Sequence, residues 1–272
     1  DNKRRGLFYS KSYSCRFCGC AFDWKRLYPT VRGQVERWDE YFDIPIYEAE
    51  DSSGQFGDVL RVEMVVCPEC AFASNEESRF VTERPVTVWE PSVSMIELLQ
   101  RTRGARVSLA EEASEIHAFP RSIDDAIVSL KLGLYSSTMI FNADPQANAI
   151  ESARLGVYAL KAAQLCRQQE QEEREFTWRK AALDYFRRAF DVDIKGVAHY
   201  RAVYQMGVLA IYLSDDKTAS RAFTHLNALE ENEPGKELHK FVLRFKRIWQ
   251  DREFHRSSVR KDTSGDPAST TP

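Results

Sequence analysis

Six cysteines carry most of the chemistry this chain can do, and four of them fall into two Cys-x-x-Cys pairs, Cys15-Arg16-Phe17-Cys18 and Cys67-Pro68-Glu69-Cys70. In such a knuckle the two intervening residues form a tight turn, and backbone N–H groups face the sulfurs and spread the thiolate charge. Two knuckles supply four thiolates, the closed tetrahedral donor set of a structural zinc ion. A small residue after each second cysteine, Gly19 or Ala71, lets the chain turn without a clash. Iron in a rubredoxin-like site uses the same geometry and stays open as an alternative. Redox chemistry at one pair would place it at a helix N-terminus in a βαβ setting, which the residues flanking Cys18 do not suggest. Cys20 can replace Cys18 as a ligand, but a Cys-x-Cys step is the less usual choice and Cys20 reads as a spare thiol. Cys166, beside Ala162, Ala163 and Leu165, reads as core.

A closed tetrathiolate leaves no coordination position for water or substrate, so the expectation is a non-catalytic protein. The histidines at 117, 199, 225, 239 and 255 show no ligand spacing. The chain has no phosphate loop, no G-x-S-x-G elbow and no H-E-x-x-H. The adjacent acids Asp39-Glu40 and Glu76-Glu77 read as solvated faces.

The elements that must position the cysteines come next. Cys18 and Cys67 are separated by 48 residues, so the intervening chain has to supply its own strands. Val31–Trp38 and Asp43–Ala49 show loose alternation of aromatic and β-branched residues. The stretch from Asp51 to Gly57 is turn chemistry, and Val59–Val66 reads as a strand running into Cys67. Residues 1–90 are therefore predicted to be a small β-rich, zinc-ribbon-like module. Metal binding, at about 10–16 kcal/mol in apparent terms, would stabilise so thin a core.

Beyond Ser94 the apolar period becomes helical. Residues 91–121 are predicted to be connecting helices, 122–255 a helical domain and 256–272 a disordered tail rich in Ser, Thr, Pro and Gly. Ser122-Ile123-Asp124-Asp125 is an N-cap with an acidic first turn, and Asp144-Pro145-Gln146 starts another helix with Pro at N1. Further helices are predicted over 177–190, 196–213, 217–230 and 236–254. A motif recurs as Leu132-Gly133-Leu134-Tyr135, Leu155-Gly156-Val157-Tyr158 and Met206-Gly207-Val208-Leu209. Glycine inside a helix costs about 1 kcal/mol relative to alanine, so a repeated one implies a neighbouring helix packed against the backbone. Ala219, Phe223 and Leu226 follow Gly207 at offsets of 12, 16 and 19, the small-and-aromatic spacing of a tetratricopeptide repeat. Ala182, Phe186 and Ala189 repeat its second half. Gly156 lies too far from Ala182 for a standard repeat, which requires extended helices or an insertion near 168–175. A generic helical bundle is the plainer alternative. The predicted fold class is α+β: the zinc-ribbon-like module, then an all-α tetratricopeptide-like domain of helical hairpins.

With these features placed, the chain resembles an uncharacterised bacterial family, domain of unknown function 2225. The resemblance is carried by Cys15, Cys18, Cys67, Pro68, Cys70, Phe72 and Ala73 and by the run Ala182–Ala189, and it spans about residues 10–230. It implies a paired-knuckle metal module followed by tetratricopeptide-like helices, and it brings no activity. This chain has Ala71 where that family usually has glycine, lacks Pro after Cys15 and adds Cys20.

The expected function is a zinc-binding scaffold or adaptor whose helical groove binds a protein or peptide, with Arg201, Tyr204, Tyr212 and Lys161 on the groove side. The alternative is nucleic-acid binding by the basic start, through Lys3, Arg4, Arg5, Lys11, Arg16, Lys25, Arg26 and Arg32 with Phe17, Trp24 and Tyr28. Residues 1–32 carry eight basic residues against two acids, but residues 33–90 carry fourteen acids against four Arg, and the net charge of the chain is −3. That balance argues against nucleic acid. An iron electron carrier is a third possibility. The longest apolar runs fall far short of the ~20 residues of a membrane span. Gly6-Leu7-Phe8-Tyr9 makes no apolar signal core, so the expected setting is cytoplasmic.

Overall fold

A computed structural model of the chain describes residues 8–28, 36–39, 42, 44–47, 59–83, 89–119, 121–144, 148–191, 197–232 and 235–262. The architecture is α+β, small antiparallel sheets followed by helices, and it divides into two compact units, Asp1–Ile194 and Lys195–Pro272.

In the first unit, strands β1 (Phe8–Cys15) and β2 (Ala21–Leu27) form a hairpin with Phe8 opposite Leu27 and Ser14 opposite Ala21. The first knuckle is its loop. Alternation fixes the faces: Tyr13, Cys15 and Trp24 are buried while Ser10, Ser12, Asp23 and Lys25 face solvent. Strands β3 (Glu36–Trp38) and β4 (Pro45–Tyr47) pair where loose alternation places them. Residues 59–66 depart from the predicted strand. Val59–Val62 is a helical turn, α1, and only Val65–Val66 (β5) is extended, pairing with β6 (Ala73–Ser74) around the second knuckle. The reason lies in the backbone carbonyls, which side chains satisfy in place of a neighbouring strand. Trp24 Nε1 donates to the Val62 carbonyl (3.2 Å), Arg26 to that of Glu63 (3.3 Å) and Arg121 to that of Met64 (2.9 Å). After a 3₁₀ turn at Glu77–Arg79, β7 (Phe80–Val81) pairs with β1, Cys15 opposite Phe80, giving the sheet order β2-β1-β7.

Helices α2 (Val93–Arg101), α3 (Arg103–Ala110), α4 (Ile123–Ala143), α5 (Asn148–Gln168) and α6 (Glu172–Phe190) complete this unit. The predicted cap of α4 is present, with Ser122 Oγ accepting from the Asp125 N–H at 3.0 Å. The predicted Pro145 start of α5 lies outside the described residues. Between α5 and α6 the chain turns at Glu170 (φ 58°), and the Gln171 N–H returns to the Cys166 carbonyl at 3.0 Å. The long Gly156–Ala182 interval is therefore two long helices and a tight turn. One hydrophobic core crosses the predicted boundary at residue 90: Tyr13, Trp24, Met64, Phe72 and Phe80 share it with Leu99, Leu130, Leu155, Tyr158 and Leu165.

The second unit holds α7 (Val197–Tyr212), α8 (Asp216–Asn232) and α9 (Lys236–Asp262). Its interior is built from Tyr204, Leu209, Leu226, Phe241 and Phe245, with Phe245, Phe223 and Trp249 in a three-ring cluster at 5.6, 6.2 and 6.3 Å. Helix α9 reaches Asp262, past the predicted start of the tail at 256, because Arg and Lys are good helix formers. Residues 263–272 lie outside the described part. Among the described residues no helix is long and apolar enough to cross a membrane.

The helical glycines have the packing role their repetition predicts. A Cβ on Gly156 would lie 2.6 Å from Phe186, and one on Gly207 would lie 2.2 Å from Phe245 and 2.9 Å from the Ala222 Cβ. Phe245, packed against Phe223, Trp249 and Tyr204, has little room to retreat. Gly207→Ala is expected to destabilise the chain by about 1–3 kcal/mol in urea unfolding. At Gly104 of α3, where a Cβ meets nothing within 4 Å, alanine is expected to stabilise by about 0.5–1 kcal/mol.

Candidate metal centre

The two knuckles are built alike. In the first, the Cys15 N–H donates to the Cys20 carbonyl and the Gly19 N–H to the Cys15 carbonyl, both at 2.9 Å. In the second, the Cys67 N–H donates to the Phe72 carbonyl (2.9 Å) and the Ala71 N–H to the Cys67 carbonyl (3.0 Å). Each turn closes on a left-handed residue, Gly19 (φ 74°) or Ala71 (φ 52°). The N–H groups of Phe17, Cys70 and Phe72 hydrogen-bond the sulfurs of Cys15, Cys67 and Cys70, the orientation that spreads thiolate charge.

The structure brings Cys15, Cys18, Cys67 and Cys70 together. Their sulfurs lie within 4.8 Å of one another, with Cys15–Cys70 at 3.6 Å and Cys18–Cys67 at 3.5 Å. A tetrahedral ion with bonds of ~2.3 Å to sulfur needs sulfurs ~3.8 Å apart, so the cluster can hold a metal ion with small adjustments. Cys15, Cys67 and Cys70 are buried and Cys18 is exposed. Unaided, the thiols compete for charge. Hydrogen bonds from Cys15 and then Cys67 hold Cys70 down to about 2. Cys67 is pushed up by its hydrogen bonds with Cys15 and Cys70 and by burial. At Cys15 the bond with Cys67 lowers the value, but that with Cys70 and burial outweigh it, to about 12. A divalent cation must displace these protons, so its uptake strengthens as pH rises.

The two knuckles are supported differently. The second is clamped by α3, whose Arg106, 1% exposed, donates to the Cys70 carbonyl (3.0 Å) and the Leu99 carbonyl (2.7 Å). Arg103 takes the Glu69 carbonyl (2.9 Å) and carboxylate (2.8 Å). Beyond it, Ser136 of α4 accepts from the Ala73 N–H (3.2 Å), and Tyr158 of α5 donates to Asn75 Oδ1 (2.7 Å). The first knuckle is held by the Arg16 contact to the Ser78 carbonyl (3.3 Å) and by Phe17 against Phe72 (4.5 Å). These supporting residues were not foreseen; the three-residue spacing of Arg103 and Arg106, one face of a helix, was the available signal.

The four residues assigned to a groove fare unevenly. Lys161 is buried in an ion pair with Glu63 (2.7 Å), and Tyr204 is 0% exposed against Phe241 and Phe245. Neither offers a surface to a partner, since each fills the interior of its own unit. Arg201 is half-buried with its guanidinium 6.0 Å from the Phe241 ring, and Tyr212 is 53% exposed. Among the described residues of the basic and aromatic set, Lys11 pairs with Glu77, Arg26 with the Tyr13 hydroxyl (2.9 Å), and Trp24 is buried. Lys3, Arg4, Arg5 and Arg32 lie outside the described residues. The structure also pairs two histidines that their spacing did not, with the Nε2 atoms of His199 and His225 2.9 Å apart.

A family model described as an uncharacterized protein conserved in bacteria matches residues 8–242. No curated protein and no solved structure matches the chain.

The left-handed turn residues give a test of knuckle geometry. A Cβ on Gly19 meets nothing within 4 Å, so Gly19→Ala is expected to cost about 1–2 kcal/mol from backbone conformation alone. Ala71→Gly relieves that strain but glycine loses more freedom on folding, so it is expected to stabilise by only about half as much. Chemical unfolding of the metal-loaded variants measures both.

Proposed function

We propose that this chain, which belongs to the DUF2225 family of uncharacterised bacterial proteins, is a non-catalytic, zinc-binding scaffold whose helices bind a protein or peptide partner. One observation carries the metal reading: four cysteine sulfurs within 4.8 Å of one another, three of the four residues buried. Four thiolates complete a tetrahedral zinc sphere and leave no position for a substrate, so the ion acts as a structural clamp. Its apparent contribution of about 10–16 kcal/mol rivals the entire stability of an ordinary domain. The shared core extends that effect from the hairpins to α4 and α5.

The scaffold reading is supported by the helical glycines. Gly156 takes the Phe186 ring of α6, and Gly207 takes Phe245 and Ala222. These are the close crossings that tetratricopeptide-like hairpins use. Tyr212, with Arg201 on the same helix, is the surface assigned to the partner. The nucleic-acid alternative loses support because Lys11, Trp24 and Arg26 are committed to contacts within the chain.

Purified chain is expected to carry about one zinc per molecule by elemental analysis and to be colourless. Stripping the ion with a strong chelator is expected to shift tryptophan fluorescence to the red and to abolish cooperative unfolding of the first unit. A visible thiolate-to-iron absorption would replace zinc by iron, and a metal-free chain of unchanged stability would remove the clamp.

The partner surface has its own test. After crosslinking in the native cell, a protein retained by the wild-type chain is expected to fall about tenfold with Tyr212→Ala, equivalent to ~1.4 kcal/mol. Full retention in both Tyr212→Ala and Arg201→Glu would show that this surface does not bind it.

A further inference from the structure

We propose that Cys18 and Cys20 form an oxidisable thiol pair, a peroxide-responsive modification site on the rim of the metal centre; this rests on the zinc reading above. The likeness of the two knuckles allows comparison position by position. Cys18 corresponds to Cys70, Gly19 to Ala71 and Cys20 to Phe72, since each pair occupies the same place in the same hydrogen-bonded turn. The differences are chemical. Cys70 is buried, with its carbonyl held by Arg106, whereas Cys18 is the exposed member of the four. Phe72 is 0% exposed in the core. Its counterpart Cys20 is a half-exposed thiol whose own contact is the neighbouring Ala21 carbonyl at 3.7 Å. Only Gly19 separates it from Cys18, and the Cys15 N–H holds the Cys20 carbonyl in the same turn. A fifth thiol therefore stands beside the one ligand an oxidant can reach, on the far side of a left-handed glycine that turns the chain back.

The chemistry balances with hydrogen peroxide as oxidant. The Cys18 thiolate attacks one peroxide oxygen, the O–O bond breaks, hydroxide leaves and Cys18 becomes a sulfenic acid. The Cys20 sulfur then attacks the Cys18 sulfur, forming an S–S bond and breaking the S–O bond. The departing oxygen takes the Cys20 proton and leaves as water. Two sulfurs give up two electrons in all, which reduce the peroxide. The ion loses one of its four ligands and with it the closed sphere. A thiol reductant reverses the disulfide. Without Cys20 the sulfenic acid has no adjacent partner and proceeds to the irreversible sulfinic acid.

The sequence supplies a direct readout. Trypsin cuts after Arg16 and Lys25, so the peptide Phe17–Lys25 contains Cys18 and Cys20 and no other cysteine. The zinc-loaded full chain is treated with hydrogen peroxide while a chromophoric indicator follows zinc release. The protein is then alkylated and digested. The expected result is a Phe17–Lys25 peptide two hydrogens lighter and unalkylated, with zinc binding restored by dithiothreitol and added zinc. In Cys20→Ser the zinc recovered after reduction is expected to be at least ~5-fold lower, with Cys18 as sulfinic acid. The proposal is overturned if zinc leaves while Cys18 and Cys20 both remain alkylated, if Cys18 is linked elsewhere, or if Cys20→Ser recovers as fully as wild type. A chain that carries no zinc before peroxide is added refutes the metal reading instead, and removes the proposal with it.

Discussion

Holding two distant turns against one another is the constraint on which the first unit depends. Cys15 and Cys70 are 55 residues apart in the chain and 3.6 Å apart at their sulfurs. Closing a loop of that order costs roughly 4 kcal/mol of chain entropy. The hairpin that carries the second knuckle is short, since β5 and β6 contribute only two residues each. Such strands do not hold together unaided. An ion held by the four sulfurs would exceed the closure term severalfold, and β7 pairs with β1 at Cys15 itself.

Around that clamp the protein places donors where a regular fold would place a neighbouring strand. Arg103, Arg106, Arg121, Arg26 and Trp24 all end on backbone carbonyls between Val62 and Cys70. A guanidinium presents several N–H groups in a fixed fork, so a single buried arginine can hold two carbonyls from different elements, as Arg106 holds those of Cys70 and Leu99. Just beyond, Arg79 and Arg154 share the fully buried Glu151, and both reach Glu76. Burying Arg79 and Glu151 in such a network adds little net stability. It does fix the geometry strictly, because a shifted register would strand a charge without its partner.

The knuckles were legible because their chemistry is local: ligand type, spacing and turn residues all lie within four positions. The helices were legible for a similar reason, since α4 announces itself by Ser122 and by its apolar period. What escaped the sequence depends on contacts between distant residues. Val59–Val66 carries the signal of a strand in the alternation of Leu60, Val62 and Met64 with Arg61 and Glu63. Its true conformation is decided by Trp24, Arg26 and Arg121. The groove assignment of Lys161 failed for the same reason. A lysine at a surface-looking position was taken inward by Glu63, a residue 98 positions away. Tyr204 was read as a groove residue from its spacing to Gly207, yet the Phe241 and Phe245 rings enclose it.

The separation of the knuckles has a consequence for how this protein is made. At about 5–20 residues per second, a ribosome that has just delivered Cys15 needs roughly 3–10 seconds to deliver Cys70. The Tyr158 hydroxyl that fastens Asn75 comes 83 residues after its partner. A nascent chain thus holds its first thiols open for seconds, without the sulfurs, arginines or helices that later enclose them. In that interval a half-formed knuckle can lose its cysteines to stray oxidation or to a wrong ion. On the zinc reading, successful synthesis depends on the redox and metal supply around the emerging polypeptide as much as on its sequence.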